Sequence, residues 1–260
     1  VVLLPILPVR IFDAGDVLNP DLIWWLVVLI AGISYLGYFA IKIVGNRHGP
    51  ILTGFFGGLV SSSALTLDMA RLSKTHPAMQ DALAAGILTA CATMFFRIPI
   101  LTYILNPDLS RLLAPSLSLM GIITCLIAYL LWKKTPEFQA NEEIKLENPF
   151  QLGTAIKFGV FLVCILLLSK VLKLYFGDMG AYVLAAVSGL ADVDPITLSM
   201  SQMSKNGLGH DVAANAILIA VVVNSGIKSI IAFVVGNRAL GIRVGAALAI
   251  AVVAGILTLF

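Results

Sequence analysis

The sequence predicts an all-α integral membrane protein built from two internal repeats, and three observations carry that reading. Of its 260 residues, 59 % are apolar and 12 % charged, against about 45–50 % and 25 % in soluble domains. The apolar residues gather in long stretches, each near or above the about 20 residues that a bilayer crossing takes. The second half of the chain also matches the first without a gap at a shift of 131 positions.

The stretches run from Asp21 to Val44, Pro50 to Leu72, Ala78 to Leu105, Ser110 to Trp132, Leu152 to Phe176, Ala181 to Met203, Asp211 to Val235 and Leu240 to Phe260. Turn residues punctuate them: GNRHGP at 45–50, SKTHP at 73–77, NPD at 106–108, GDMG at 177–180 and KNGLGH at 205–210. Trp24, Trp25 and Trp132 fall at segment ends, as interfacial anchors do. The one long polar run, KKTPEFQANEEIKLENP, reads as a solvated linker. It separates an N-terminal repeat, 1–132 with a short pre-helix at 1–20, from a C-terminal repeat, 151–260, across a linker at 133–150. The opening VVLLPILP lacks the basic flank of a signal peptide and reads as the end of a helix that begins upstream.

The repeat is most legible at 58–74 against 189–205, where Gly58-Leu59, Thr66-Leu67, Met69 and Ser73-Lys74 recur as Gly189-Leu190, Thr197-Leu198, Met200 and Ser204-Lys205. Arg97 falls on Lys228 and Asn106 on Asn237. Four full crossings per repeat would make the copies parallel; three crossings and a re-entrant second segment would make them inverted. Apart from Arg97 and Lys228, 15 Lys and Arg remain. Eight crossings would divide them 8 to 7 between the two sides, whereas re-entrant second and sixth segments divide them 10 to 5. The positive-inside bias favours the second arrangement and makes the richer side cytoplasmic.

Those two segments also hold the unusual chemistry. Ser61, Ser62, Ser63 and Thr66 interrupt one; Asp192, Asp194 and Thr197 interrupt the other. Pro195 has no N–H and disfavours helix at Asp194, so the chain should break at 192–195. Interrupted backbone at membrane depth belongs where it lines a cavity or packs in protein. A buried carboxylate costs about 2.5–3.5 kcal/mol on insertion scales and usually faces a cavity or a partner. Asp192 and Asp194 could together hold a metal cation such as Mg2+ or Na+, with Thr197 and exposed carbonyls. Alternatively one of them carries a proton, since neighbouring like charges separate their pKa values; a surface turn at ADVDP is the plainer reading. Arg97 and Lys228 supply counter-charge, toward an anionic substrate or toward the two aspartates, or else snorkel to headgroups. Asn224 offers a hydrogen-bonding wall, and Asn215 reads as helix glue.

The remaining polar residues read more simply. Asp68 and Arg71 pair at i, i+3 near the interface. His48, His76 and His210 are loop residues. Cys91, Cys125 and Cys164 read as small buried hydrophobes, with no metal or disulfide spacing. No nucleophile elbow, P-loop, dinucleotide fingerprint or HExxH is present, so no enzyme is expected. A net charge of +3, scattered along the chain, offers no nucleic-acid footprint.

Through GGLVSSSALT at 57–66 and GLADVDPIT at 189–197, with Arg97 in the helix after the first motif, the chain resembles the uncharacterised DUF4010 membrane family associated with MgtC/SapB-type proteins. Ser63 and Pro195 depart from that family's usual threonine and alanine. The resemblance implies a bacterial or archaeal cytoplasmic membrane and hints at divalent-ion physiology. The function expected is a transporter or channel for a small ion or solute, with a midplane site formed by the SSSALT and DVDPIT motifs. The alternative is a non-transporting regulatory or scaffold module acting with an MgtC-like or other partner. Small-residue faces such as ALAAG at 82–86 permit a homodimer. No cofactor is expected beyond a bound cation.

Overall fold

The computed structural model describes residues 20–44, 49–134 and 152–258. The pre-helix before Pro20, the turn holding His48 and the linker at 135–151 lie outside them. The described residues are helical, without strands: α1 (Pro20–Val44), α2 (Gly49–Thr75), α3 (Gln80–Leu105), α4 (Pro107–Lys133), α5 (Leu152–Ala191), α6 (Asp194–Lys205), α7 (His210–Ile231) and α8 (Arg238–Leu257). A π-turn at Ala232–Gly236 extends α7. Every expected segment is present to within a few residues, because each is a long apolar run bounded by Pro, Gly or Asn. Among the described residues, five stretches are long and apolar enough to cross a bilayer by length and composition: Pro50–Thr75, Pro77–Leu105, Pro107–Lys133, His210–Gly236 and Arg238–Leu257. Large apolar side chains such as Tyr103, Ile122, Leu126 and Val253 face outward, as lipid requires and water would not tolerate. The chain is thus a multi-pass membrane protein by its helices.

The chain divides into two compact units, and each draws on both halves of the sequence. The first comprises 1–32, 98–113 and 149–224; the second comprises 33–97, 114–148 and 225–260.

In the second unit α2 folds back on itself. Ser61 is extended (φ −164°, ψ 106°) and separates an ingoing arm, 49–60, from an outgoing arm, 62–75. Gly54 and Gly58 of the ingoing arm lie against Gly86 and Ala90 of α3, so the two run in the same direction. Yet Gly86 also packs against both Pro50 and Met69, which one straight helix would hold about 28 Å apart. The outgoing arm therefore returns along α3. Val60 at the tip accepts a hydrogen bond from Ser34, in the middle of α1, so the tip stops about halfway along its neighbour. The outgoing arm then meets the π-turn, where Gly236 lies against Ala70 and Ser73.

The first unit contains a second hairpin. At Gly177 (φ 58°, ψ −139°) α5 reverses, a left-handed conformation that glycine adopts without Cβ strain. Gly180 accordingly packs against Leu172. The following arm, 178–191, ends where Asp192 and Val193 interrupt the helix, and α6 begins at Asp194. Ser169 Oγ lies 2.9 Å from Ser199 Oγ. Had α6 continued onward from 178–191, Ser199 would lie about 20 Å past the level of Ser169; α6 instead doubles back. The segments that the charge pattern marks as re-entrant both return, as the helix-to-helix contacts within each unit require.

Both ingoing arms approach their neighbours through glycine. A Cβ on Gly58 would come within 2.7 Å of Ala90 Cα, and one on Gly189 within 2.6 Å of Ala220 O. Only backbone-to-backbone packing leaves that little room.

Candidate functional site

Each hairpin tip leaves two sets of orphan backbone groups, carbonyls at the end of one arm and amides at the start of the next. The expected site residues are gathered at these tips, and most first serve that need. The two motifs belong to different compact units.

In the second unit, Ser61 Oγ accepts the Ala64 N–H at 3.2 Å, which makes Ser61 the N-cap of the outgoing arm. Thr66 donates back to Ser62 O at 2.7 Å. Arg97, 7 % exposed, donates from Nη1 to Leu59 O at 3.1 Å, satisfying a carbonyl near the end of the ingoing arm. Lys228 is fully buried (0 % exposed); its Nζ donates to Ser62 Oγ at 2.8 Å and lies 3.1 Å from Met94 Sδ. Ser63 is half-buried at the same turn. Snorkelling is therefore excluded for both cations. Their aliphatic stems lie inside protein and their heads reach polar atoms of the hairpin, not headgroups.

In the first unit, Asp192 plays the part that Ser61 plays in the second. Its Oδ1 accepts the Asp194 N–H at 3.2 Å, its own N–H donates to Ser188 O, and Ser188 Oγ donates to Asp192 O at 3.1 Å. Asn224 Nδ2 donates to Gly189 O at 3.0 Å, again satisfying a carbonyl near the end of the ingoing arm. Asp192 is half-buried, whereas Asp194 is 2 % and Thr197 0 % exposed. The surface-turn reading of ADVDP holds at the exposed Ala191 and fails at Val193, Asp194 and Pro195, which are buried. Thr197 Oγ1 has no hydrogen-bond partner among the described residues.

Capping predicts a measurable cost. Ser61→Ala and Asp192→Ala should each lower stability by about 0.5–2 kcal/mol. Ser63→Ala, which removes no such bond, should stay within about 0.5 kcal/mol. Thermal unfolding of the three detergent-solubilised variants checks this; equal losses at 61 and 63 would remove Ser61 from the capping role.

Among the described residues no three His, Cys, Asp or Glu side chains gather as a metal site. Other expectations divide. Asp68 and Arg71 do pair, at 3.9 Å. His76 and His210 lie at helix starts beside loops. Cys91 is buried, but Cys125 and Cys164 are exposed, because an apolar run also supplies the lipid-facing side of a helix. Asn215 is likewise exposed.

Sequence reasoning assigned no role to Ser188, to Met94, or to two asparagine clamps. Asn106 Nδ2 donates to Ser204 Oγ at 2.6 Å in the first unit, and Asn237 Nδ2 donates to Ser73 O at 3.0 Å in the second. Each asparagine also caps the next helix, accepting from Leu109 N and Leu240 N. The signal was available: Asn106 matches Asn237 and Ser73 matches Ser204 in the repeat.

A family model described as a domain of unknown function, DUF4010, matches residues 28–236. An uncharacterised protein of Aquifex aeolicus (strain VF5) is 36 % identical over 194 residues, covering 74 % of this chain and 84 % of that relative. No solved structure matches the chain.

Proposed function

The chain belongs to the DUF4010 family, and we propose that this member moves a small ion or solute across a membrane, with a polar centre at each hairpin tip. One observation carries the proposal. Two helical hairpins stop halfway along their neighbours and bring interrupted backbone and Asp194 to buried positions, and the buried Lys228 of α7 donates to Ser62 of the first. A membrane fold tolerates such interruptions where they line a pathway or pack in protein, and intramembrane charges commonly mark ion or substrate routes.

The repeat organisation forms part of this proposal. Three crossings and one returning hairpin per repeat give an odd number of passes, so the second copy would be inverted. Corresponding contacts support the duplication. The Asn106–Ser204 and Asn237–Ser73 bonds exchange places under the 131-residue shift, and the caps Ser61 and Asp192 coincide under it. A bacterial or archaeal cytoplasmic membrane is the setting proposed.

The bonds that commit Ser61, Thr66, Arg97 and Asn224 to backbone favour a second reading, a closed regulatory or scaffold module acting with an MgtC-like partner. The buried Thr197 hydroxyl, without a hydrogen-bond partner among the described residues, favours transport. Flux into liposomes separates the two. With gradients of Na+, K+, Mg2+, H+, small anions and neutral solutes, at least one should move tenfold faster than through protein-free vesicles. Asp194→Asn should return that flux to background. If no gradient discharges through folded, reconstituted protein, the scaffold reading replaces transport.

A further inference from the structure

We propose that the end of α2 and the start of α8, within the second unit, bind the headgroup phosphate of an anionic phospholipid through Lys74 and Arg238. The inference goes beyond transport and rests only on the multi-pass membrane fold.

The first reason is how the two cations are brought together. Asn237 Nδ2 donates to the Ser73 carbonyl at 3.0 Å, and Gly236 lies against Ala70 and Ser73. Lys74 and Arg238 are the next residues along each segment, about 3.8 Å further at Cα. Both are exposed, and among the described residues neither side chain makes an ion pair or hydrogen bond. The other two cations of this end each have a carboxylate. Arg71 lies 3.9 Å from Asp68; Arg243 Nε lies 2.5 Å from Asp81 Oδ1, and its Nη1 donates to Gln80 at 3.2 Å. The charge left over at this end is therefore that of Lys74 and Arg238.

The second reason is the matching end of the first unit. The same asparagine clamp is built there, between Asn106 and Ser204, without the same charges. The 131-residue shift matches Arg71, Arg238 and Arg243 to Gln202, Pro107 and Leu112, and only Lys74 meets another cation, Lys205. Arg111, in the first turns of α4, is paired with Asp108 at 3.0 Å. Holding a hairpin arm thus takes the asparagine and the serine but no free cations. Those of the second unit have no such structural duty and are available to a ligand.

Place and shape select the ligand. Lys74 stands at the end of one stretch of bilayer length and Arg238 at the start of another, Pro50–Thr75 and Arg238–Leu257. Basic residues that border a crossing lie at headgroup level and attract anionic lipids. From Arg238 an exposed stripe follows α8 at one-turn spacing through Ile242, Ala246, Ile250 and Val253. A cationic end above an apolar track fits an amphiphile with a phosphate head and an acyl chain, whereas a soluble phosphate would use only the upper part. A phosphodiester accepts charge-assisted bonds from both an ammonium and a guanidinium. A choline headgroup brings its own cation, so phosphatidylglycerol should be favoured over phosphatidylcholine.

The test is native mass spectrometry of the full chain released from detergent, titrated with phosphatidylglycerol or with phosphatidylcholine of the same acyl chains. For the first bound copy, wild type should hold phosphatidylglycerol at least tenfold more tightly. Lys74→Gln combined with Arg238→Gln should bring the two lipids within twofold of each other. Arg111→Gln combined with Lys205→Gln, which alters the matching end, should keep the tenfold preference. If the first pair does not fold, Lys74→Gln and Arg238→Gln singly should each reduce the preference at least threefold. Equal affinity of wild type for the two lipids overturns the proposal, and so does a preference that survives the loss of both Lys74 and Arg238. Displacement of phosphatidylglycerol by excess glycerol 3-phosphate would assign the two cations to a soluble anion and overturn it as well.

Discussion

Lys228→Ala should lower the unfolding free energy by about 2–5 kcal/mol, the range for truncating a large buried side chain. Lys228 is among the largest fully buried side chains, and it is held between Ser62 Oγ and Met94 Sδ. Truncation removes the packing of the four-carbon stem and leaves Ser62 Oγ without its donor, a further desolvation cost. Lys228→Met keeps much of the volume and should cost less than alanine, so the difference between the two isolates packing from charge. Lys228→Arg should recover little, because a rigid planar guanidinium is a poor replacement for a compact ammonium in a filled site. Equilibrium unfolding in detergent provides the numbers. A Lys228→Ala loss below about 0.5 kcal/mol, the range of ordinary surface changes, would mean that Lys228 is not packed in the hairpin tip.

The second large effect is all-or-none and tests topology. In a protein with Cys91, Cys125 and Cys164 replaced, single cysteines at Asp178 and Asn206 flank the second hairpin, and both positions are exposed. A membrane-impermeant maleimide added to one side of sealed vesicles should label both sites or neither. The hairpin returns to the side it left, as the 2.9 Å contact between Ser169 and Ser199 demands. Labelling of one site from each side would show that 178–205 crosses and would remove the odd pass count on which inverted repeats rest.

Much of the helix layout was legible before any coordinates. Apolar runs of bilayer length ended by Pro, Gly and Asn predict the helices, since an unpaired peptide group in lipid costs several kcal/mol and helices pair their own. Pro195 predicts the α5–α6 break, because it lacks the N–H that would continue the ladder. The break at Ser61 was legible only through the repeat: three serines can continue a helix, and what ends this one is an extended Ser61 capping the next arm. Exposure was the weaker inference. Cys125 and Cys164 face outward because lipid accepts apolar residues on a helix exterior as readily as protein does on its interior.

The sequence by itself determined which residues form helices, where the polar interruptions fall and which positions correspond between the halves. All three follow from local chemistry: hydrophobic run length, the missing N–H of proline and shared residue identity. Only the tertiary structure decided that the interrupted segments return, that Arg97 and Asn224 satisfy carbonyls near the ends of the ingoing arms, and that Lys228 is buried against Ser62. It also separated Thr66 from Thr197, identical residues at matching positions, one bonded to its own helix and the other without a hydrogen-bond partner among the described residues. Such differences depend on which groups approach from distant parts of the chain, and residue type alone does not encode that approach.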